Sequence, residues 1–137
     1  MKSYQTKTKK LTGSDFREVH KKAFGLYKQI KSKTKRRPYV RSAYFKKDKI
    51  FLETFWHHLY EKNNFRDKIR RMKYFPAALE LIKNSKIDPT SFENPNKSSE
   101  VLHKFTGKTK DGKLFYVQIK EEKRNGKKWL MSVFPKK

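Results

Sequence analysis

The chain contains no cysteine, which excludes disulfides, thiolate metal sites and a cysteine nucleophile. It has no long apolar run, no signal-peptide core and no lipidation motif, so we expect no membrane partner. Acidic residues are also few: 13 Asp and Glu stand against 37 Lys and Arg, which gives a net charge of +24. Because such self-repulsion destabilises a protein on its own, we expect a polyanionic partner, nucleic acid first. The absence of cysteine favours a cytoplasmic protein.

Apolar residues are scarce as well, yet the chain is long enough for one domain. Only 34% of its residues are hydrophobic, but 15% are aromatic, so a few large rings can supply much of the buried area. We predict a single domain over residues 1–137, with a basic arm or lead-in at 1–13, a helical part at 14–85 and a sheet at 100–137.

The helical part has apolar residues at helical spacing. A first helix is predicted to begin near Ser14, followed by a basic connection at 31–42. A second helix is predicted to begin by Asp48, and Pro76 predicts a kink or a new helix start. Residues 84–99 hold two prolines and many turn formers, which indicates an irregular connection.

From Glu100 the hydrophobic period changes from that of a helix to that of a strand. Two dipeptides, Asp111-Gly112 and Asn125-Gly126, favour tight hairpin turns. Three strands are predicted, at 101–106, 114–121 and 128–134. The expected fold class is therefore α+β, with about three to four N-terminal helices packed on a C-terminal antiparallel meander of three or more strands.

Polar residues of the predicted sheet are the candidates for chemistry. Gln118 and Lys120 share the face of the middle strand that is opposite its apolar residues, and Ser132 lies in the third strand. His103 lies in the first strand, and histidine can transfer a proton near neutral pH. Simple alternation groups His103 with apolar residues, so a catalytic role requires a bulge or strand edge. The alternative is a packing histidine.

No metal or cofactor is predicted. His57 and Glu61 are four residues apart, as two ligands on one helix face would be, but the sequence marks no third ligand. The chain has neither a phosphate-binding loop nor a dinucleotide fingerprint.

Arginines near aromatic residues are the candidates for nucleic-acid binding, because guanidinium groups bind phosphates and aromatic rings stack on bases. The predicted residues are Arg36, Arg37, Arg41, Arg70, Arg71 and Tyr116. Tyr39, Tyr44 and Tyr74 lie close to these arginines in the sequence. The alternative is that some of these rings build the core.

Three segments of the chain suggest a family: "YFPAALELIKNSKIDP", "EVLHKFTGKTKDGKLFYVQIKEE" and "KKWLMSVFP". From Tyr74 onward the chain resembles the barnase/EndoU/colicin/RelE-like (BECR) superfamily of small nucleases, in its phage- or mobile-element-associated branch. The likeness lies in the order of a helix, a polar linker, a strand with histidine, a polar strand and a final strand with serine.

This resemblance implies a metal-independent ribonuclease, in which the ribose 2′-OH attacks the adjacent phosphate and leaves a 2′,3′-cyclic phosphate. By position, it implies that His103 is the base or acid and that Lys104 or Lys120 stabilises charge. Gln118 and Ser132 would position the phosphate. The partner of His103 stays open, and RelE-like toxins act on the ribosome without a conventional acid–base pair.

Three functions follow from the sequence. The first is a toxin-type RNA endonuclease, acting on free or ribosome-bound RNA and neutralised by a protein antitoxin or inhibitor. The second is a non-catalytic basic protein that binds RNA or DNA. The third is a ribosomal or nucleoprotein accessory.

Overall fold

Strands and helices are interleaved in the computed structural model, which describes residues 2–136. Four helices lie in this part of the chain: α1 (Phe16–Lys33), α2 (Glu53–Glu61), α3 (Phe65–Lys73) and α4 (Phe75–Asn84). The strands are β1 (Tyr4–Gln5), β2 (Tyr39–Arg41), β3 (Lys49–Phe51), β4 (Thr90–Glu93), β5 (Glu100–Lys108), β6 (Leu114–Glu122) and β7 (Lys128–Pro135).

All these strands belong to one sheet, in the order β1-β5-β6-β7-β3-β2. The central β5, β6 and β7 pair antiparallel, whereas β1 pairs parallel with β5 and β3 pairs parallel with β7. The fourth strand, β4, pairs with residues 101–104 of β5, and β1 pairs with residues 107 and 108. The strands therefore come from both halves of the chain.

The predicted fold class is wrong. The expected meander is present as β5, β6 and β7, but it is the centre of a mixed, curled, seven-stranded sheet. The strands β2 and β3 lie where a basic connection and a helix start are predicted, and β4 lies in the segment expected to be irregular. These strands have three or four residues each, too few for alternation to stand out, and parallel pairing depends on partners distant in sequence.

The helix boundaries follow local chemistry. The side chain of Asp15 accepts a hydrogen bond from the Glu18 amide at 2.8 Å and caps α1. Asn64 caps α3 through the Asp67 amide at 3.1 Å. Pro76 lies in the first turn of α4, directly after α3 ends, as the restart prediction expects. Between residues 2 and 136 no helix is long and apolar enough to cross a membrane.

The core lies between the helices and one face of the sheet, which we call the inner face. Buried inner-face residues are Val40, Ile50, Phe105, Phe115, Val117, Ile119, Leu130 and Val133, and the helices add rings such as Phe55, Trp56 and Phe75. A bulge at Met131 interrupts the pairing, since Gln118 pairs with Ser132 but Ile119 pairs with Leu130. This extra residue lets both Leu130 and Val133 point inward.

Candidate functional site

The face opposite the helices, the outer face, carries its side chains in rows across the strands. The first row is formed by Tyr39, Phe51, Trp129 and Lys120, which are successive direct neighbours on β2, β3, β7 and β6. A second row has Ser132, Gln118 and Lys104, and a third has Phe134, Tyr116 and Thr106. We call the three rings of the first row, Tyr39, Phe51 and Trp129, the aromatic row.

Cations lie over the rings of the outer face. Lys49 Nζ is 4.8 Å and Arg41 Cζ 5.4 Å from the centre of the Tyr39 ring. Arg37 Cζ lies 5.3 Å from the centre of the Trp129 ring, and Lys104 Nζ lies 4.8 Å from that of Tyr116. The same surface therefore carries cations, which can bind phosphate groups, and aromatic rings, which can stack on bases.

Arg71 of α3 also reaches the outer face. Beyond Trp129 the edge of β7 no longer pairs with β3, and α2 and α3 lie beside it. Arg71 Nη1 donates to Ser132 Oγ at 2.8 Å, and its guanidinium lies 5.4 Å from the centre of the Phe134 ring.

Asp67 holds the two arginines of α3. It accepts hydrogen bonds from Arg70 Nη2 at 3.1 Å and from Arg71 Nε at 3.0 Å. Partial burial raises the pKa of Asp67, but these hydrogen bonds and the charges of Arg71 and Lys62 outweigh that effect, so the pKa lies below its ordinary value. Asp67 therefore stays ionised and orients Arg71 towards the sheet.

A groove of about 740 Å³ lies at one end of the outer face. Its walls are the end of α1 with residues 34–37, the strands β2 and β3, and Lys127 from the turn before β7. Two members of the aromatic row, Tyr39 and Phe51, line it. No carboxylate is among the residues that line the groove. Six cations surround the two rings: Lys33, Lys35, Arg36, Arg37, Lys49 and Lys127.

The predicted catalytic set is divided between the two faces of the sheet. The outer face brings together Lys104, Gln118, Lys120 and Ser132. His103 lies on the inner face with Phe105, because β5 runs from residue 100 to 108 paired residue by residue, without a bulge. These four residues and His103 therefore cannot act on one phosphate, and the assignment of a shared site is corrected.

His103 is bonded through both ring nitrogens. Nε2 is 2.8 Å from Glu121 Oε1, and Nδ1 is 2.7 Å from Ser91 Oγ on β4. A carboxylate can only accept, so Nε2–H donates to Glu121, and in the neutral ring Nδ1 accepts the hydroxyl proton of Ser91. The ring is 9% exposed, which fits the packing alternative as well as a sheltered acid–base pair.

A chain of charges extends from this pair. Glu121 Oε2 lies 3.6 Å from Lys128 Nζ, which in turn donates to Asp48 at 2.8 Å. Lys128 is buried, whereas Asp48 is exposed. The acids thus compensate a buried ammonium group.

The loop between β2 and β3 covers this corner of the inner face. Phe45 contacts the edge of the His103 ring with centroids 5.0 Å apart. Lys46 and Lys47 have φ values of 55° and 70°, a conformation that costs a non-glycine residue on the order of 1 kcal/mol. The amide of Lys47 donates to the carbonyl of Ser42 at 2.7 Å, which closes the loop.

Most of the predicted nucleic-acid residues lie on or beside the outer face. Arg36 and Arg37 line the groove, Arg41 lies over Tyr39, and Tyr116 is in the third row. Of the nearby tyrosines, Tyr39 lies on this face, but Tyr74 is buried against Phe115 and Tyr44 packs on Phe105.

The sequence interpretation missed Ser91 and the aromatic row as a unit, and it left open the partner of His103, which is Glu121 in the structure. Glu121 lies two residues after Ile119 in β6, so strand alternation places both residues on the face that carries His103. Trp129 could not be assigned to a face because the bulge at Met131 is not marked in the sequence. Among residues 2–136, no three His, Asp or Glu side chains gather closely enough to hold a metal ion.

Comparisons of the chain with protein-family models, curated proteins and solved structures give no significant match. The resemblance to the BECR nucleases therefore stays a prediction that rests on the quoted residues.

Proposed function

We propose that this protein binds RNA in the cytoplasm and holds it against the outer face of its sheet. The observation that carries the proposal is the pairing of cations with rings across this face, as for Lys49 with Tyr39 and Lys104 with Tyr116. Lysine and arginine neutralise phosphates, and aromatic rings stack on bases, which is how many RNA-binding sheets recognise their ligand.

The charge distribution supports the same function. A net charge of +24 is favourable only beside a polyanion, and the groove at the end of the face presents six cations without a carboxylate. Binding of RNA there releases counterions and relieves the repulsion between these cations.

The test is the salt dependence of RNA affinity, measured by fluorescence anisotropy over roughly 50 to 300 mM NaCl. One variant removes three cations of the outer face and its groove: Arg36→Gln, Lys49→Gln and Lys104→Gln. Its matched control removes one arginine and two lysines from exposed positions of the helices: Arg17→Gln, Lys21→Gln and Lys83→Gln.

We expect the outer-face variant to bind RNA more weakly and to lower the slope of log K against log salt by about 2, since each phosphate contact contributes about 0.7 for a single strand. The control should change the slope by less than about half as much. Equal effects of the two variants would reject the outer face as the site, and absence of binding at the lowest salt would reject the function.

A second candidate function is RNA cleavage, supported by the hydrogen-bonded pair of His103 and Glu121. A base would take the proton of the 2′-OH as its oxygen bonds to phosphorus, and an acid would protonate the 5′-oxygen as the P–O5′ bond breaks. Histidine and glutamate are residue types suited to these two roles. Because His103 is buried, the loop of residues 43–47 would have to open for a phosphate to reach it.

Cleavage is tested by incubating total RNA, and separately translating ribosomes, with the protein in EDTA. The nuclease function predicts fragments with 2′,3′-cyclic phosphate ends, lost in His103→Ala and in the shape-conserving Glu121→Gln, while RNA affinity stays within about twofold. His57→Ala, at an exposed position of α2, is the control. Intact RNA in both incubations would leave binding as the function.

A further inference from the structure

The groove beside β2 and β3 has two aromatic rings and cationic walls. Tyr39 and Phe51 line it and are half-buried, so part of each ring is accessible. Its volume, about 740 Å³, lies within the range of pockets that hold small organic ligands. This combination suits a ligand that has both a ring and a phosphate.

The register of the strands makes the rings continuous. Tyr39 is directly opposite Phe51, and Phe51 is directly opposite Trp129. Their centroids are 6.2 Å and 5.1 Å apart in turn, and their planes are inclined by 73° and 40°, so each ring presents its own face to a base. A strand of nucleic acid that crosses the sheet along this row can therefore meet successive rings.

Cations lie over two rings of the row, so a base that stacks on these rings takes the place of the cation. Lys49 and Arg41 lie on the Tyr39 ring, and Arg37 caps the Trp129 ring while its Nε lies 3.4 Å from Glu53. The side chain of Arg37 is 54% exposed, so a nucleotide can displace it from the ring and take it up as a phosphate partner.

We infer that this groove binds unpaired nucleotides whose bases stack on Tyr39 and Phe51, so that the substrate class is single-stranded RNA. The inference rests on the proposed RNA binding and adds the selection of single strands. In a duplex, both faces of each base are covered by its neighbours, so only an unpaired base can stack on these rings. A polyanion without bases would contact the cations alone.

Three probes distinguish these cases in competition anisotropy: an oligouridylate of about 12 nucleotides, an RNA duplex of the same length, and inorganic polyphosphate. The double variant Tyr39→Leu/Phe51→Leu removes the rings without changing charge. Phe65→Leu, which removes an exposed ring of α3 outside the sheet, is the control. The single variant Phe51→Leu, which removes one ring, keeps the test open should the double variant unfold, which thermal unfolding detects.

We expect oligouridylate to bind more tightly than the duplex, and the double variant to weaken its binding by about tenfold or more. The affinity for polyphosphate and the salt slope should stay unchanged. Phe65→Leu should retain wild-type binding within about twofold, and Phe51→Leu should weaken oligouridylate binding less than the double variant does. Oligouridylate should also quench the fluorescence of Trp129 in the wild type.

Equal affinity for all three probes, or wild-type affinity in a folded double variant, would overturn the inference and leave RNA binding by charge intact. Tighter binding of the duplex would overturn it as well. If none of the probes binds at the lowest salt, the proposed function itself fails.

Discussion

Glu80 on α4 ties the N-terminal segment to the body of the protein. Its carboxylate accepts hydrogen bonds from the Lys7 and Thr8 amides at 2.8 and 3.0 Å, and from the Thr8 hydroxyl at 2.6 Å. The Tyr4 hydroxyl donates to it at 3.2 Å. Partial burial raises the pKa of Glu80, but these donors outweigh that effect and hold the pKa below its ordinary value of 4.5.

Glu80→Gln should therefore lower the free energy of unfolding by roughly 1–3 kcal/mol near neutral pH, because an amide nitrogen would face donors. A carboxyl whose pKa is lowered by folding stabilises the protein above its unfolded-state pKa, and that stabilisation is lost as pH falls through the folded-state value. The difference between wild type and variant should thus shrink below about pH 4.5. Urea unfolding at several pH values measures it.

Hydrogen exchange provides a local readout of the same variant, since the Lys7 and Thr8 amides should lose protection. Glu61→Gln, at an exposed position of α2, should change stability by less than about 0.5 kcal/mol. A pH-independent difference between wild type and Glu80→Gln would show that the carboxylate charge is not what holds the segment.

His103 illustrates how far single residues could be predicted. Alternation alone places it on the apolar side, and the structure agrees. Its partners could not be derived in the same way: Ser91 comes from a four-residue strand in a segment that is rich in turn formers, and Phe45 comes from a loop. Both contacts depend on elements that only tertiary packing brings together.

At the scale of elements, α1 contains a glycine that its packing does not require. Gly25 lies in the helix interior, and a Cβ added there meets nothing within 4 Å. Gly107 on β5 is the opposite case, because an added Cβ would lie 2.5 Å from Phe115 Cζ and 2.8 Å from Leu81 Cδ1. Close packing therefore requires a glycine at position 107 but not at position 25.

Gly25→Ala should raise the free energy of unfolding by about 0.5–1 kcal/mol, because alanine loses less backbone entropy than glycine when a helix forms. Gly107→Ala should lower it by roughly 1–3 kcal/mol through overpacking. Chemical denaturation of both variants measures these two changes in the free energy of unfolding. Destabilisation by Gly25→Ala would contradict this prediction and would mean that the added methyl group clashes with a neighbouring atom.

The elements themselves were predicted unevenly. The three long strands and the restart at Pro76 follow from periodicity, hairpin turns and proline chemistry. The short strands β2, β3 and β4 do not. The strands β3 and β4 rely on the longer β7 and β5 for their hydrogen bonds, and β2 pairs only with the equally short β3. The fold class was wrong for this reason.

At the scale of the whole molecule, charge dominates. With 37 Lys and Arg against 13 Asp and Glu, most cations cannot be paired within the protein. Ion pairs such as those at Asp67 and Glu100 balance only a few of them. The remaining repulsion is long-ranged and is screened by salt.

The melting temperature should consequently rise when NaCl is raised from roughly 10 to 150 mM, because the Debye length falls from about 30 to 8 Å. A gain of about 1 kcal/mol would correspond to roughly 4 °C for a chain of this size. Differential scanning calorimetry measures the shift.

The helical control variant, in which Arg17, Lys21 and Lys83 are replaced by Gln, has a net charge of +21 (24 minus 3) and should respond less to salt. A melting temperature that falls as salt rises would mean that screening weakens the ion pairs more than it relieves the repulsion.

The sequence by itself determined the excess of positive charge, the three long strands with their hairpin turns and the face on which His103 lies, because these depend on composition and local periodicity. Only the tertiary structure decided the rest. It placed the short strands on either side of the three long ones and aligned Tyr39, Phe51 and Trp129 in one row. It also separated His103 from Lys104, Gln118, Lys120 and Ser132. Such neighbours are set by strand register and by the bulge at Met131, which depend on contacts between residues far apart in the chain.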